Sequence, residues 1–114
     1  MKEIIIAMYE KNMSEIFAYQ NETLLFPLRN EDSLDYYIEK LKTAIRKGSY
    51  ILCDEQGGIP YVSALIASAN SESIIVSDVN KDNIGMIIDA IHSGTDLSIF
   101  LDENKICDSL KVQS

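Results

Sequence analysis

The chain has 114 residues, of which 46% are hydrophobic and 25% are charged, so it can build one modest core but not two. Its formal net charge is -8, and the chain has no basic stripe that could bind the phosphates of a nucleic acid. No apolar run is long enough for the core of a signal peptide or for a membrane span. We therefore expect one cytoplasmic domain that neither binds nucleic acid nor inserts directly into a membrane.

Five short apolar segments, rich in β-branched residues, are predicted to form strands. They are "EIIIAMY" at 3–9, "TLLFPL" at 23–28, "SYILCD" at 49–54, "SIIVSDV" at 73–79 and "LSIFLD" at 97–102. Their apolar character is nearly continuous rather than alternating, which is typical of a parallel sheet covered on both faces. We expect the last segment at an edge of the sheet, where an open apolar strand invites pairing with a second chain.

Segments of helical periodicity separate these strands. In the second helix, which is the clearest, apolar residues recur at spacings of three and four from Leu34 to Ile45, and Gly48 can end it. Further helices are predicted at about 12–19, 59–69 and 82–93. This order predicts an α/β fold, a three-layer, doubly wound, mainly parallel sheet of about five strands with helices on both faces. We assign 1–102 to this single domain and 103–114 to a polar C-terminal tail.

The carboxyl ends of the strands are where a ligand binds in such a sheet, because the N–H groups of the following helices point there. That edge is expected to hold Tyr9 and Glu10 after the first strand, Asp54 to Gly58 after the third, and Ser77 to Asn80 after the fourth. Its acids suit a divalent cation and would repel a bare phosphate, and the alternative is that they are solvated loop residues. We predict neither a bound metal ion nor a cofactor.

The chain offers little other reactive chemistry. Its single histidine, His92, comes in the last turn of a helix at the opposite edge of the sheet, and we interpret it as complementing the helix dipole. Cys53 and Cys107 match no disulfide framework and no zinc spacing, so both are interpreted as packing or surface residues. No Ser-His-Asp or Cys-His arrangement can therefore be assembled.

One stretch, "GSYILCDEQGGIPYVSALIASA" at 48–69, resembles the IIA component of the mannose/fructose/sorbose family of the bacterial phosphoenolpyruvate-dependent sugar phosphotransferase system. In that family a strand ends in an aspartate, and a Phe-Gly-Gly-Ser-Pro loop then opens a helix rich in alanine. Here the counterparts are Asp54 and the loop Gln56-Gly57-Gly58-Ile59-Pro60. The segment "FPLRNEDSLDYYIEKLKTAI" is similar to the family's second strand and following helix, and "IIVSDVNKDNIGMIIDAI" to its Val-Thr-Gly-Val-Asn segment and last long helix.

This resemblance implies a phosphoryl carrier, usually a homodimer, that accepts a phosphoryl group from the small phosphocarrier protein and passes it to a IIB domain during sugar uptake. The family's carrier is a histidine in a Thr-His-Gly sequence after the first strand, oriented by the aspartate that Asp54 matches. This chain reads "MYE" at that place, so Tyr9 or Glu10 stands opposite the histidine. Ile59 replaces the hydroxyl residue before the proline, and Asp78 replaces the glycine after the fourth strand.

These departures predict a IIA-like protein that cannot be phosphorylated and has a regulatory or scaffolding role, because neither tyrosine nor glutamate can form a phosphohistidine. The family site positions are Tyr9, Glu10 and Asp54. The associated binding loop comprises Gln56, Gly57, Gly58, Ile59, Pro60, Asp78 and Asn80.

Two alternatives stay open. The first is a receiver-like domain phosphorylated on Asp54, with Glu10 after the first strand, Ser77 after the fourth and Lys105 after the fifth in analogous places. The second is a non-catalytic protein-binding module whose acidic edge is merely solvated. Stabilisation by Mg²⁺ would favour the receiver-like domain over the other two readings.

Overall fold

The computed structural model describes residues 3–19, 21–106 and 110–113, and these form the predicted three-layer α/β fold. The strands are β1 (Ile4–Tyr9), β2 (Leu24–Leu28), β3 (Tyr50–Cys53), β4 (Ser73–Val76) and β5 (Leu110–Gln113). The helices are α1 (Glu10–Met13), which continues into a 3₁₀ helix (Ser14–Tyr19), then α2 (Leu34–Ala44), α3 (Ile59–Ala67), α4 (Ile84–His92) and α5 (Leu97–Glu103). Within the described residues, no helix has the length and apolar character needed to cross a membrane.

The strands form one sheet in the order β2-β1-β3-β4-β5. Strand β1 pairs in parallel with β2 and β3, and β3 pairs in parallel with β4, whereas β5 runs antiparallel to β4. All residues of β1 except Tyr9 are buried, as expected of an inner strand of a parallel sheet. Its side chains alternate between two cores, one built with α4 and α5 and the other with α2 and α3.

Helix α2 follows the predicted pattern. Ser33 caps it by accepting a hydrogen bond from a backbone N–H of the first turn at 3.1 Å, and Tyr37 and Leu41 lie fully buried on its inner face. The helix ends at Ala44, before the predicted stop at Gly48, because the backbone of Ile45 is already extended.

The predicted strand at 97–102 is wrong, because these residues form α5. The carboxylate of Asp96 caps this helix by accepting a hydrogen bond from the N–H of Ile99 at 3.3 Å. Leu97 and Leu101, one turn apart, are buried, whereas Ile99 is 55% exposed, which is the pattern of an amphipathic helix. Pairing of this segment with a second chain as an edge strand is therefore wrong as well.

The edge of the sheet on this side is β5, which lies in the stretch that the sequence assigns to the polar tail. The main-chain carbonyl of Gln113 accepts a hydrogen bond from the N–H of Glu72 at 2.6 Å. Its side-chain amide donates to the carbonyl of Leu65 in α3 at 2.7 Å. Both contacts anchor β5 to the domain. Cys107 lies outside the described residues.

Two titratable side chains are buried between the sheet and α2. Cys53 ends β3 and is fully buried, and this burial, together with the neighbouring Asp54 carboxylate, raises the pKa of its thiol. Tyr37 is also fully buried, and burial raises the pKa of its hydroxyl, which donates a hydrogen bond to the carbonyl of Phe26. The folded protein therefore holds both groups in their neutral forms.

We predict that the free energy of unfolding falls as the pH rises above 9.0, the ordinary pKa of a thiol. Below that pH the Cys53 thiol is neutral in both states, whereas above it the unfolded thiol ionises and the folded one does not. Urea unfolding between roughly pH 7 and pH 9.5 measures the decline below 10.0, the ordinary pKa of tyrosine, where ionisation of the unfolded Tyr37 still contributes little. The variant Cys53→Ala should show a weaker decline, and an unchanged decline would contradict the assignment.

Candidate functional site

The candidate site lies at the carboxyl ends of β1 and β3. The chain leaves β1 toward β2 on one side of this point and leaves β3 toward β4 on the other, so the strand order reverses there. Helix α1, after β1, and helix α3, after β3, pack on opposite faces of the sheet, since Met13 and Ala64 belong to different cores. The crevice between them is the topological switch point, where ligands bind in open α/β sheets.

Asp54, directly after β3, joins the elements around this crevice. The residue is only 8% exposed, and its carboxylate accepts three hydrogen bonds. One oxygen, Oδ2, accepts from the backbone N–H of Tyr9 at 2.9 Å and from the side-chain amide of Asn12 at 2.7 Å. The other, Oδ1, accepts from the N–H of Glu55 at 2.9 Å. A single buried carboxylate thus connects the end of β1, the first turn of α1 and its own loop.

Tyr9 lies across the glycine loop that leads into α3. Its hydroxyl accepts a hydrogen bond from the N–H of Ile59, the first residue of α3, at 3.1 Å. Its ring passes close to Gly58, where an added Cβ would lie 3.5 Å from Cε2 of the ring and 3.2 Å from the carbonyl oxygen of Glu55. Gly57 has φ of +86°, which a side chain would strain. The tyrosine therefore occupies the N-terminal end of α3.

Glu10 points away from Asp54. Its carboxylate accepts a hydrogen bond from Nε of Arg29 at 2.9 Å, and both side chains of this ion pair are more than half exposed. The hydrogen bond and charge of Glu10 raise the pKa of Arg29 above its ordinary value. The backbone N–H of Arg29 also donates to Asp32 at 3.0 Å. Glu10 therefore belongs to the β2 side of β1 rather than to the crevice.

The turn after β4 lies beside the crevice. Asp78 has a left-handed backbone with φ of +60°, and its carbonyl accepts a hydrogen bond from the side-chain amide of Asn83 at 3.0 Å. The side-chain oxygen of Asn80 accepts from the N–H of Asp82 at 2.9 Å and from the N–H of Asn83 at 3.1 Å. Both residues thus shape the turn that leads into α4.

Three clefts open around the end of β1. On one side, a cleft of about 180 Å³ is lined by polar side chains that include Asn12, Asp54 and Asn80. On the β2 side, clefts of about 230 and 370 Å³ share Tyr9 and Leu28. Pockets that hold drug-sized ligands begin at roughly 300 Å³, a volume that only the largest of these three clefts exceeds. This edge therefore offers several open grooves rather than one enclosed pocket.

The structure brings four of the predicted site residues into contact, and Asn80 lines the same cleft as Asp54. Tyr9, Asp54, Gly58 and Ile59 lie in direct or near contact. The remaining members of the predicted loop are less involved, since Gln56 is exposed and Pro60 is buried in the first turn of α3. Proline suits that position because it has no N–H to satisfy.

Sequence reasoning missed two residues of this region, Asn12 and Arg29. Asn12 bonds to Asp54, and its position one helical turn after Tyr9 was the available signal. Arg29 bonds to Glu10, and its place directly after β2 pointed to the same edge of the sheet.

Two groups of the receiver-like alternative are placed differently from what it expects. Glu10 pairs with Arg29 instead of lying beside Asp54. Lys105 follows helix α5 rather than a fifth strand. Among the residues that the structure describes, no group of three or more histidine, cysteine, aspartate or glutamate side chains could hold a metal ion.

Comparison with protein-family models, with curated proteins and with solved structures finds no match for this chain. A functional assignment therefore has to rest on the geometry of the crevice and on the sequence of its loops.

We predict that Asp54→Ala lowers the free energy of unfolding by roughly 1–3 kcal/mol, because the partners of its buried carboxylate lose their acceptor. The matched variant Glu55→Ala changes an exposed acid in the same loop and should shift the free energy by less than about 0.5 kcal/mol. Denaturant unfolding of both variants measures the difference. Losses of equal size would show that Asp54 does not hold the crevice together.

Proposed function

We propose that the protein is a IIA-like member of the mannose-type sugar phosphotransferase system that binds its partners without carrying a phosphoryl group. Its role would be regulatory or scaffolding within the sugar-uptake phosphorelay. The proposal includes a cytoplasmic location, a homodimer, and the phosphocarrier protein and a IIB domain as partners.

The contact between Tyr9 and the start of α3 carries this proposal. The loop from Asp54 to Pro60 resembles one that receives a phosphoryl group at the N-terminal end of a helix. In this chain the Tyr9 hydroxyl already accepts the hydrogen bond of the Ile59 N–H, the first N–H of α3. An incoming phosphoryl oxygen would have to displace that hydroxyl. The position is therefore occupied by the protein's own side chain.

The chemistry of the available side chains points the same way. A histidine nitrogen holds a phosphoryl group that can be passed on reversibly, whereas a tyrosine phosphate ester is too stable to serve in a relay. Glu10 is bound to Arg29, and Glu55 and Asp78 would repel an incoming phosphate. We infer that the site has kept the loop and lost the reactive atom.

Asp54 supports the same interpretation. The resemblance gives the corresponding aspartate the role of orienting the residue after the first strand. Here Asp54 accepts hydrogen bonds from the Tyr9 N–H and the Asn12 amide, so it still orients the end of β1. Phosphorylation of Asp54 itself is less favoured, because both of its oxygens accept hydrogen bonds and the residue is only 8% exposed.

The test is incubation of the purified protein with phosphoenolpyruvate and the general phosphorelay proteins, followed by measurement of its intact mass. We predict no phosphoryl adduct, while a histidine-bearing mannose-type IIA protein treated in parallel becomes phosphorylated. Titration with the phosphocarrier protein and with a IIB domain is predicted to show saturable binding of at least one of them.

Two outcomes would contradict the proposal. An adduct formed by the relay would overturn the loss of transfer chemistry, and binding of neither partner would overturn the assignment to the phosphotransferase system. A parallel incubation with acetyl phosphate and Mg²⁺ separates the receiver-like alternative. A base-labile adduct that is lost in Asp54→Asn would favour that alternative.

A further inference from the structure

Helix α3 has an apolar outer face. None of its nine residues carries a charge. Ile59, Val62 and Ile66 are 48%, 37% and 48% exposed, and their spacing of three and four residues places them in one row, the α3 stripe. The opposite face of α3 is buried against the sheet and α2. A helix that is apolar on all sides is normally buried on all sides, so the α3 stripe has the character of an interface.

The amino end of the α3 stripe opens into the cleft of about 230 Å³ beside β2. Ile59 lines this cleft together with Leu34, which is 44% exposed and extends the apolar surface onto α2. Asp32 and Arg29 line the same cleft, and the charge of Arg29 is paired with Glu10. Glu55 is exposed in the loop that precedes α3. Carboxylates therefore flank the apolar surface at this end.

We propose that the α3 stripe and the adjoining cleft dock a basic amphipathic helix of a protein partner. The apolar side of such a helix would pack on the α3 stripe, and its lysine or arginine side chains would reach Asp32 and Glu55. The net charge of -8 favours a basic partner for the same reason. This inference rests on the residues of α3 and its rim and does not require the phosphotransferase function.

A second copy of the chain fits the α3 stripe less well. A two-fold contact through α3 pairs the same surface of both copies, so the acidic rims of both chains would lie in one interface. It would also join two chains that each carry a formal charge of -8. A basic partner pairs these charges instead of opposing them. The homodimer of the proposed function therefore needs another surface.

The test uses a synthetic helical peptide of leucine and lysine, with the leucines on one face, and a leucine and glutamate peptide as the charge control. The double variant Val62→Ser/Ile66→Ser removes the apolar side chains of the α3 stripe. The matched double variant Met86→Ser/Ile99→Ser removes two apolar side chains that are 42% and 55% exposed on α4 and α5, on the other face of the sheet. Titration calorimetry measures binding, and circular dichroism verifies that each variant is folded.

We expect the leucine and lysine peptide to bind the wild type and the α4/α5 variant alike. It should bind the stripe variant at least about tenfold more weakly, because its apolar contacts are lost. Raised salt and the variant Glu55→Lys should weaken binding of this peptide as well. If the stripe variant does not fold, the comparison of Glu55→Lys with the wild type tests the proposal instead.

Three results would overturn the proposal. The first is equal affinity of the peptide for the stripe variant and the α4/α5 variant, and the second is tighter binding of the glutamate peptide. The third is a wild-type dimer that dissociates when Val62 and Ile66 are changed, because it would assign the α3 stripe to a second copy. The peptides contain no phosphotransferase sequence, so these results stand apart from those of the relay experiment.

Discussion

The buried carboxylate of Asp54 is the interaction on which the rest of the site depends. It lies at the switch point of the sheet and accepts hydrogen bonds from the Tyr9 N–H, the Asn12 amide and the Glu55 N–H. These partners come from β1, from α1 and from the loop after β3. Because a buried charge is costly unless it is well paired, the three donors and the carboxylate hold one another in place. The direction in which Tyr9 leaves β1 follows from this arrangement.

The position of Tyr9 determines what the crevice can do. A helix N-terminus attracts anions, and a glycine loop lets the backbone approach them closely. In this protein the Tyr9 hydroxyl accepts the hydrogen bond of the first N–H of α3. A neutral side chain of the protein itself therefore occupies the position that an anion would take. The apolar α3 stripe begins at the same residue, Ile59, and runs away from the crevice. The two features together support the proposals of a surface for a protein partner and of a neighbouring site that does not carry a phosphoryl group.

Much of the fold could be predicted because its elements carry their own signals. Strand β1 is a continuous apolar run, and α2 has both a cap and an amphipathic period. The prediction of a strand at 97–102 failed because a short apolar run suits either a strand or a helix. The cap at Asp96 favours the helix. Strand β5 carries no such signal, since it is a strand only through its pairing with β4. The contact of Asn12 with Asp54 spans 42 residues of sequence, so only the fold reveals it.

The most direct test of this account is the amide resonance of Ile59, recorded in isotope-labelled wild type and Tyr9→Phe during titration with inorganic phosphate. The account predicts that the wild-type resonance stays in place as phosphate is added. It also predicts that the resonance has a different position in Tyr9→Phe, because the Ile59 N–H loses its acceptor. A wild-type resonance that shifts to saturation with phosphate, or one with the same position in both proteins, would contradict the claim that the Tyr9 hydroxyl occupies the start of α3.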